Sequence, residues 1–231
     1  MKFCYVVREP HSQVSLCYDG GMAMTTDHKL NQWLIDDLED NGFYAERKYM
    51  ETHSFYKQVI PVIVLHETST DRYVFYQRKA NHTETRLAGK WTVGFGGHID
   101  PEDSDDNEEG NLLKTQQNYT FGKKISSGFF RELFEETGIR VQDTDSIEFK
   151  GFIHDHNDAV GKVHLGLCFV LSRDVIDMEL INSQSEVERA ILLKAGGTGR
   201  HAVARMVLNE EDGKLYPMEL EGWANIILGK L

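Results

Sequence analysis

The run GKVHLGLCFVL, residues 161 to 171, is apolar enough throughout to lie at the centre of a sheet rather than at its edge. A turn separates it from GFIHDHND, so the two read as a hairpin. FYKQVIPVIVLHE and RYVFYQRK, joined by the polar turn TSTD, read as another hairpin, and MKFCYVVR as a short strand. Helical signals fall between these runs. In TTDHKLNQWLIDDLEDNG, Leu30, Trp33, Leu34 and Leu38 recur at helical spacing between a Thr/Asp start and an Asn41-Gly42 stop, and PMELEGWANIILGKL is a last amphipathic segment. HAVARMVL fits either a strand or a helix, and DGG at 19 to 21 is a turn signal. Interleaved strands and helices predict an α/β or α+β fold. A chain of 231 residues can bury one sizeable core. We expect an N-terminal extension over residues 1 to 55, a strand, a turn and a helix packed on a main domain of residues 56 to 231.

Charge narrows the function classes. With 25 Lys+Arg against 37 Asp+Glu the net charge is -12, a field that repels phosphate backbones and disfavours generic nucleic-acid binding. An anionic substrate therefore needs a local basic pocket or a divalent cation. Arg78 and Lys79, with Arg86 and Lys90 beyond them, supply local positive charge. Arg78 is the candidate phosphate contact, since its planar fork can grip two oxygens, with an ordinary surface ion pair as the alternative. No apolar run approaches the ~20 residues of a membrane span. The apolar part of MKFCYVVREPHS is short for a secretory signal, and Cys4, Cys17 and Cys168 have no metal-type spacing, so cytoplasm is expected.

The chemistry concentrates in FRELFEETGI, residues 130 to 139. On a helix Glu132, Glu135 and Glu136 fall on one side, because offsets of three and four return to the same face. Unpaired, three such carboxylates repel one another, and a divalent cation turns the repulsion into a binding site. Phe130 and Leu133 can anchor the helix, and Gly138 suits the left-handed position that ends it. Upstream, WTVGFGGHID sets the pair Gly96-Gly97 at the end of a strand-like run.

RELFEETGI resembles, position by position, the second half of the Nudix hydrolase signature, and Gly97 resembles its opening glycine. The intervening stretch, residues 98 to 130, exceeds the family's spacing by roughly twenty residues. Counted forward from Gly97, the signature's first glutamate falls on Asp103; counted back from Arg131, on Lys123; Glu102 neighbours the first. YKQVIPVIVL, FYQRK, LAGKWTVGFGGHID, VGKVHLGLCFVL and MELEGWANIIL together are similar to a Nudix branch labelled predicted phosphoesterases. The resemblance implies an α/β/α sandwich with a mixed sheet. It also implies Mg²⁺ or Mn²⁺ held by Glu132, Glu135, Glu136 and the Gly97 carbonyl, with Gly96 and Gly97 against the substrate. Arg131 would orient the helix by an ion pair. The implied activity is hydrolysis of a phosphoanhydride bond in a nucleoside diphosphate linked to another group. Homodimers are compatible with the family. The alternative is a module that binds a nucleotide or ADP-ribose-like ligand without turnover. An isomerase of isoprenoid diphosphates shares the fold but wants a reactive cysteine.

Other stretches carry weaker signals. Glu186 and Glu188 could lend a later acid to the site, or could belong to a capping box, SEVE, that starts a helix. HDHND, 154 to 158, has metal-ligand types that are also turn formers. The acid-rich PEDSDDNEEGN reads as a solvated loop. Its DDNEEG starts like a calcium loop but reaches Gln116 at the twelfth position, where glutamate is required. AILLKAGGTGRHA mimics a nucleotide-binding glycine loop without the βαβ unit to follow it.

Overall fold

A computed structural model describes residues 1–9, 21–23, 27–80, 87–104, 112–157, 159–194, 206–208 and 215–231. Its frame is a ten-stranded mixed sheet. Strands β4 (Tyr56–Glu67) and β9 (His164–Arg173) run parallel at its centre, in register from Gln58↔His164 to Glu67↔Arg173. Strand β8 (Ser146–His154) pairs antiparallel with β9 and also with β2 (Gly21–Ala23). On the other side β5 (Arg72–Arg78) joins β4, and β10 (Val187–Leu193) closes that edge.

The period of two explains both layers. Along β4, Val59, Ile63 and Leu65 face one core while Ile60, Val62 and Val64 face the other; along β9, Leu165, Leu167, Phe169 and Leu171 separate from Cys168 and Val170 in the same way. Helices cover both faces. The first is packed by Leu34, Ile35 and Leu38 of α1 (His28–Asn41), by Ile125, Phe129 and Leu133 of α3 (Lys123–Thr137), and by Ile181 of α4 (Met178–Asn182). The second is packed by Ala224 and Ile227 of α5 (Gly222–Leu228). This is an α/β/α sandwich. Truncating one of the wholly buried residues, such as Leu133, would cost about 2–5 kcal/mol.

The N-terminal residues share the central sheet. β1 (Phe3–Arg8) pairs with the start of β4 at Val6↔Gln58 and with β3 (Phe43–Glu46), and a short helix α2 (Arg47–Met50) follows. Asp27 caps α1 by accepting from the Lys29 and Leu30 N–H groups, as the Thr/Asp signal predicts. Trp33, counted in the apolar stripe, is half exposed.

Two expectations change. SEVERAILLK does not start a helix: Val187–Leu193 is strand β10, whose half-buried residues complete the edge of β5, and the capped helix lies upstream, with Asp177 at the N-terminus of α4. PEDS, 101 to 104, is a turn of 3₁₀ helix with Asp103 buried rather than a wholly solvated loop, because Arg131 draws that carboxylate inward. In HAVARMVL, Met206–Leu208 is strand β11, paired with β12 (Leu215–Pro217). Arg86, Cys17, Asp158, the DDNEEG stretch, AGGTGR and most of DGG lie outside the described residues.

Candidate active site

The site forms where β4 changes partners. Its first residues pair with β1 up to Gln58, and Ile63 and Val64 pair with β7 (Gly94–Phe95), a strand preceded by β6 (Trp91–Thr92). Pro61 falls between the two pairings, where its missing N–H costs neither of them a ladder bond. The chain leaving β7 passes over this gap. Gly96 has φ +149°, and any side chain there would overlap the Pro61 carbonyl oxygen, so only glycine lets the backbone lie this close.

Helix α3 meets the glycine pair with its acidic face. Gly138 ends the helix at φ 72°, its N–H donating to the Phe134 carbonyl at 2.8 Å, as the sequence predicts. The Gly96 N–H donates to Glu136 Oε2 at 2.8 Å. Gly97 lies against Glu132 so closely that an added Cβ would stand 2.6 Å from its carboxylate. Glu132 is buried, and its carboxyl is pushed up to about 7, chiefly by burial, with Arg131 opposing and Glu136 reinforcing the shift. Burial also raises Glu136, against the opposing effects of Arg78 and the Gly96 N–H. Glu135 is the exposed member of the trio.

Arg131 ties this face together. It grips Asp103 at two points, Nε to Oδ1 and Nη2 to Oδ2, both 2.9 Å. Nη2 also donates to the His98 carbonyl at 2.6 Å, and Nη1 to Glu132 at 2.8 Å and Glu135 at 2.9 Å. Of the residues counted at the first-glutamate position, the structure brings Asp103 to Arg131. Lys123 stands instead at the first turn of α3, and Glu102 is exposed.

A cavity of about 420 Å³ opens beside the glycines. Glu132, Glu135 and Glu136 line one side, while Ile60, Val62, Trp223 and Ile227 give it an apolar wall. Arg78 lines it too, but buried, with Nε donating to Glu221 and the guanidinium 5.3 Å from the Tyr76 ring centre. Its ion pair is thus a buried one. Glu186 lines the same cavity; Glu188 is exposed on β10. A second hollow of about 380 Å³ lies across Gly97 and His98, lined by Arg131, Glu132 and Glu135 and by Lys2 and Arg47 from the N-terminal residues.

The sequence reading missed His98, His164, Arg47 and Glu221, all on the cavity wall. His98 directly follows the glycine pair, which was its available signal. His164 is brought in by the β4–β9 register, which nothing local announces. In HDHND, Asp155 accepts from the Asn157 N–H at 2.8 Å, a turn-forming contact, and Lys57 already places an ammonium 3.9 Å from Glu9 beside His154 and His156. Burial pushes the Cys4 and Cys168 thiols up to about 12, so neither is a reactive thiolate.

The donor set suits a hard cation. Three carboxylates crowd one face, two of them with raised affinity for protons; all are oxygens of the kind Mg²⁺ and Mn²⁺ prefer.

No protein-family model matches the chain. Over 116 residues it is 33% identical to Protein YmaB of Bacillus subtilis (strain 168), a stretch spanning 50% of this chain and 49% of that relative. The crystal structure of Tm1382, whose description names the Nudix hydrolases, superposes with a TM-score of 0.58 at 22% identity, covering 84% of this chain and 86% of the other. A MutT/nudix family protein from Enterococcus faecalis gives a looser likeness, TM-score 0.46 at 12% identity over 90% of this chain and 74% of its own. The mixed sheet between helical layers and its likeness to Tm1382 establish that this chain has the Nudix fold.

Proposed function

We propose that the protein is a metal-dependent hydrolase of a phosphoanhydride bond in a nucleoside diphosphate linked to another group. One observation carries this reading: three glutamates of one helix face, Glu132 buried and Glu136 half-buried against a glycine pair, line a cavity large enough for such a substrate. Glu132, Glu135 and Glu136, with the Gly97 carbonyl, would hold Mg²⁺ or Mn²⁺. Such an ion, when bound, neutralises charge on the bridging phosphates and acidifies a water for attack on phosphorus.

The chain's own residues set the geometry. The Gly96 N–H fixes the Glu136 carboxylate, and Arg131 holds α3 to the His98 carbonyl and Asp103, so the carboxylates are oriented before any ligand arrives. Arg78, at the cavity wall beside Glu221, would serve as the cationic contact for a phosphate oxygen. Ile60, Val62, Trp223 and Ile227 offer an apolar surface to the organic part of the substrate and keep water from it. Glu186 lines the same cavity and would accept the proton of the attacking water. No described helix is long and apolar enough to cross a membrane.

The test is product release from dinucleoside polyphosphates, nucleotide sugars, ADP-ribose, NADH and capped RNA with Mg²⁺ or Mn²⁺, comparing the parent with Glu135→Gln. Turnover should fall at least ~100-fold in the variant, given the charge stabilisation that metals supply. Equal rates, or saturable binding with no turnover by the parent, would overturn the proposal, the second in favour of a binding module.

A further inference from the structure

We infer that His98, His164 and Glu51 form a second metal site, for a divalent transition ion of the zinc class, on the cavity wall beside the carboxylate face. One ligand atom from each of the three lies within 4.8 Å of the others. The two imidazole Nε2 atoms are 3.3 Å apart. Tetrahedral zinc with Zn–N bonds of about 2.0–2.1 Å sets its nitrogen ligands roughly 3.3–3.4 Å from each other, so the rings already stand at the spacing the ion imposes.

The tautomers agree with this. His164 Nδ1 lies 2.7 Å from the Val160 carbonyl and donates to it, which leaves the lone pair on Nε2, facing His98. His98 Nε2 lies 2.9 Å from Gln58 Oε1, so in the metal-free protein its N–H is shared between that oxygen and His164. A single N–H thus points into the position between the rings that the ion would take, so binding requires His98 to carry its proton on Nδ1 instead. The framework is rigid where it matters: Gln58 and His164 are partners in the central β4–β9 ladder, and His98 is tethered through its carbonyl to Arg131. Glu51 follows α2, its carboxylate 3.4 Å from Arg47 Nε, and supplies the third ligand.

Two imidazoles and one carboxylate are the donor set of zinc sites that keep a fourth position open. Here both imidazoles line the 420 Å³ cavity, so that position would take water or a substrate oxygen. Nitrogen donors separate the site chemically from the all-oxygen face of α3.

The experiment uses the full chain freed of metal by a chelator. Zn²⁺ affinity is measured by competition with a chromophoric chelator, and Co²⁺ serves as the spectroscopic probe. The parent should bind one Co²⁺ with the intense visible absorption of four-coordinate nitrogen-containing sites, bind Zn²⁺ in competition with the chelator, and retain both behaviours in Glu135→Gln. His98→Gln and His164→Gln should each lose that absorption and at least ~100-fold in Zn²⁺ affinity, and Glu51→Gln about tenfold, judged against the ~10–100-fold typical of lost outer contacts. Circular dichroism confirms folding. Only pale, octahedral Co²⁺ in the parent, or parental Zn²⁺ affinity in either folded histidine variant, would overturn the inference. Should His164→Gln fail to fold, His98→Gln and the parent spectrum still decide it.

Discussion

The two sides of the Gly96-Gly97 crossing differ in both chemistry and origin. On one side stands α3, whose acids come from five consecutive residues, pre-organised by Arg131 and the Gly96 N–H. On the other stands the imidazole corner, whose three members come from α2's end, the loop after β7 and the first residue of β9. The first wall is dictated by helical period and would exist on an isolated helix of this sequence. The second exists only because β1, β4 and β9 are paired in one register. The lesson is that a helix can display a charge cluster by itself, whereas close donor pairs from distant segments report on the whole sheet.

Three substitutions or conditions would break or sharpen that contrast. Gly97→Ala tests the seam. Its Cβ would press on the Glu132 carboxylate, the far end of a side chain that can move aside, so the protein should fold while turnover falls by about 100-fold, the scale expected from displacing a reacting group by ~1 Å. Unchanged turnover would detach Glu132 from the site. Next, Asp103→Asn should destabilise the protein by about 1.5–3 kcal/mol in urea unfolding, since it discharges a buried carboxylate gripped twice by Arg131, and should leave the Co²⁺ absorption of the imidazole corner in place. Loss of that absorption would show that the two walls are one unit.

The smallest effect is a pH dependence. Burial pushes the folded Glu132 carboxyl up to about 7 from its ordinary 4.5, so the folded state holds the proton more tightly than the unfolded one, and its contribution to stability is present at low pH and lost as pH rises through 7. Without metal, the melting temperature should therefore decline by a few degrees more in the parent than in Glu132→Gln between pH 5.5 and 8. The difference between the two proteins isolates this group from His154, whose depressed value of about 4 acts in the opposite direction as pH falls below 6.5. Parallel pH profiles would contradict a buried, proton-hungry Glu132.

Much of the fold was legible because it is locally encoded. The alternation along β4 and β9, the TSTD hairpin, the Asp27 cap and Gly138 all appear in the structure as the residues imply. SEVERAILLK was not legible: its serine and glutamates imitate a helix start, and the open edge of β5 decided for a strand. The acidic insertion concealed the partner of Arg131 in the same way. Counting from either end gave Asp103 or Lys123, and only the 3₁₀ turn that swings Asp103 beneath α3 selected the first.

The sequence by itself determined the helix that carries Glu132, Glu135 and Glu136, because three- and four-residue spacings convert directly into a shared face. It placed the glycine pair at the end of a strand-like run as well, while the Pro61 carbonyl beside Gly96 is what leaves room there for glycine alone. The tertiary structure alone decided that Arg78 pairs with Glu221 at the cavity wall, that Asp103 clamps Arg131, and that His98 meets His164 at 3.3 Å. Those contacts join residues separated by 143, 28 and 66 positions, and their formation depends on strand register and loop closure, which no short-range pattern of residues encodes.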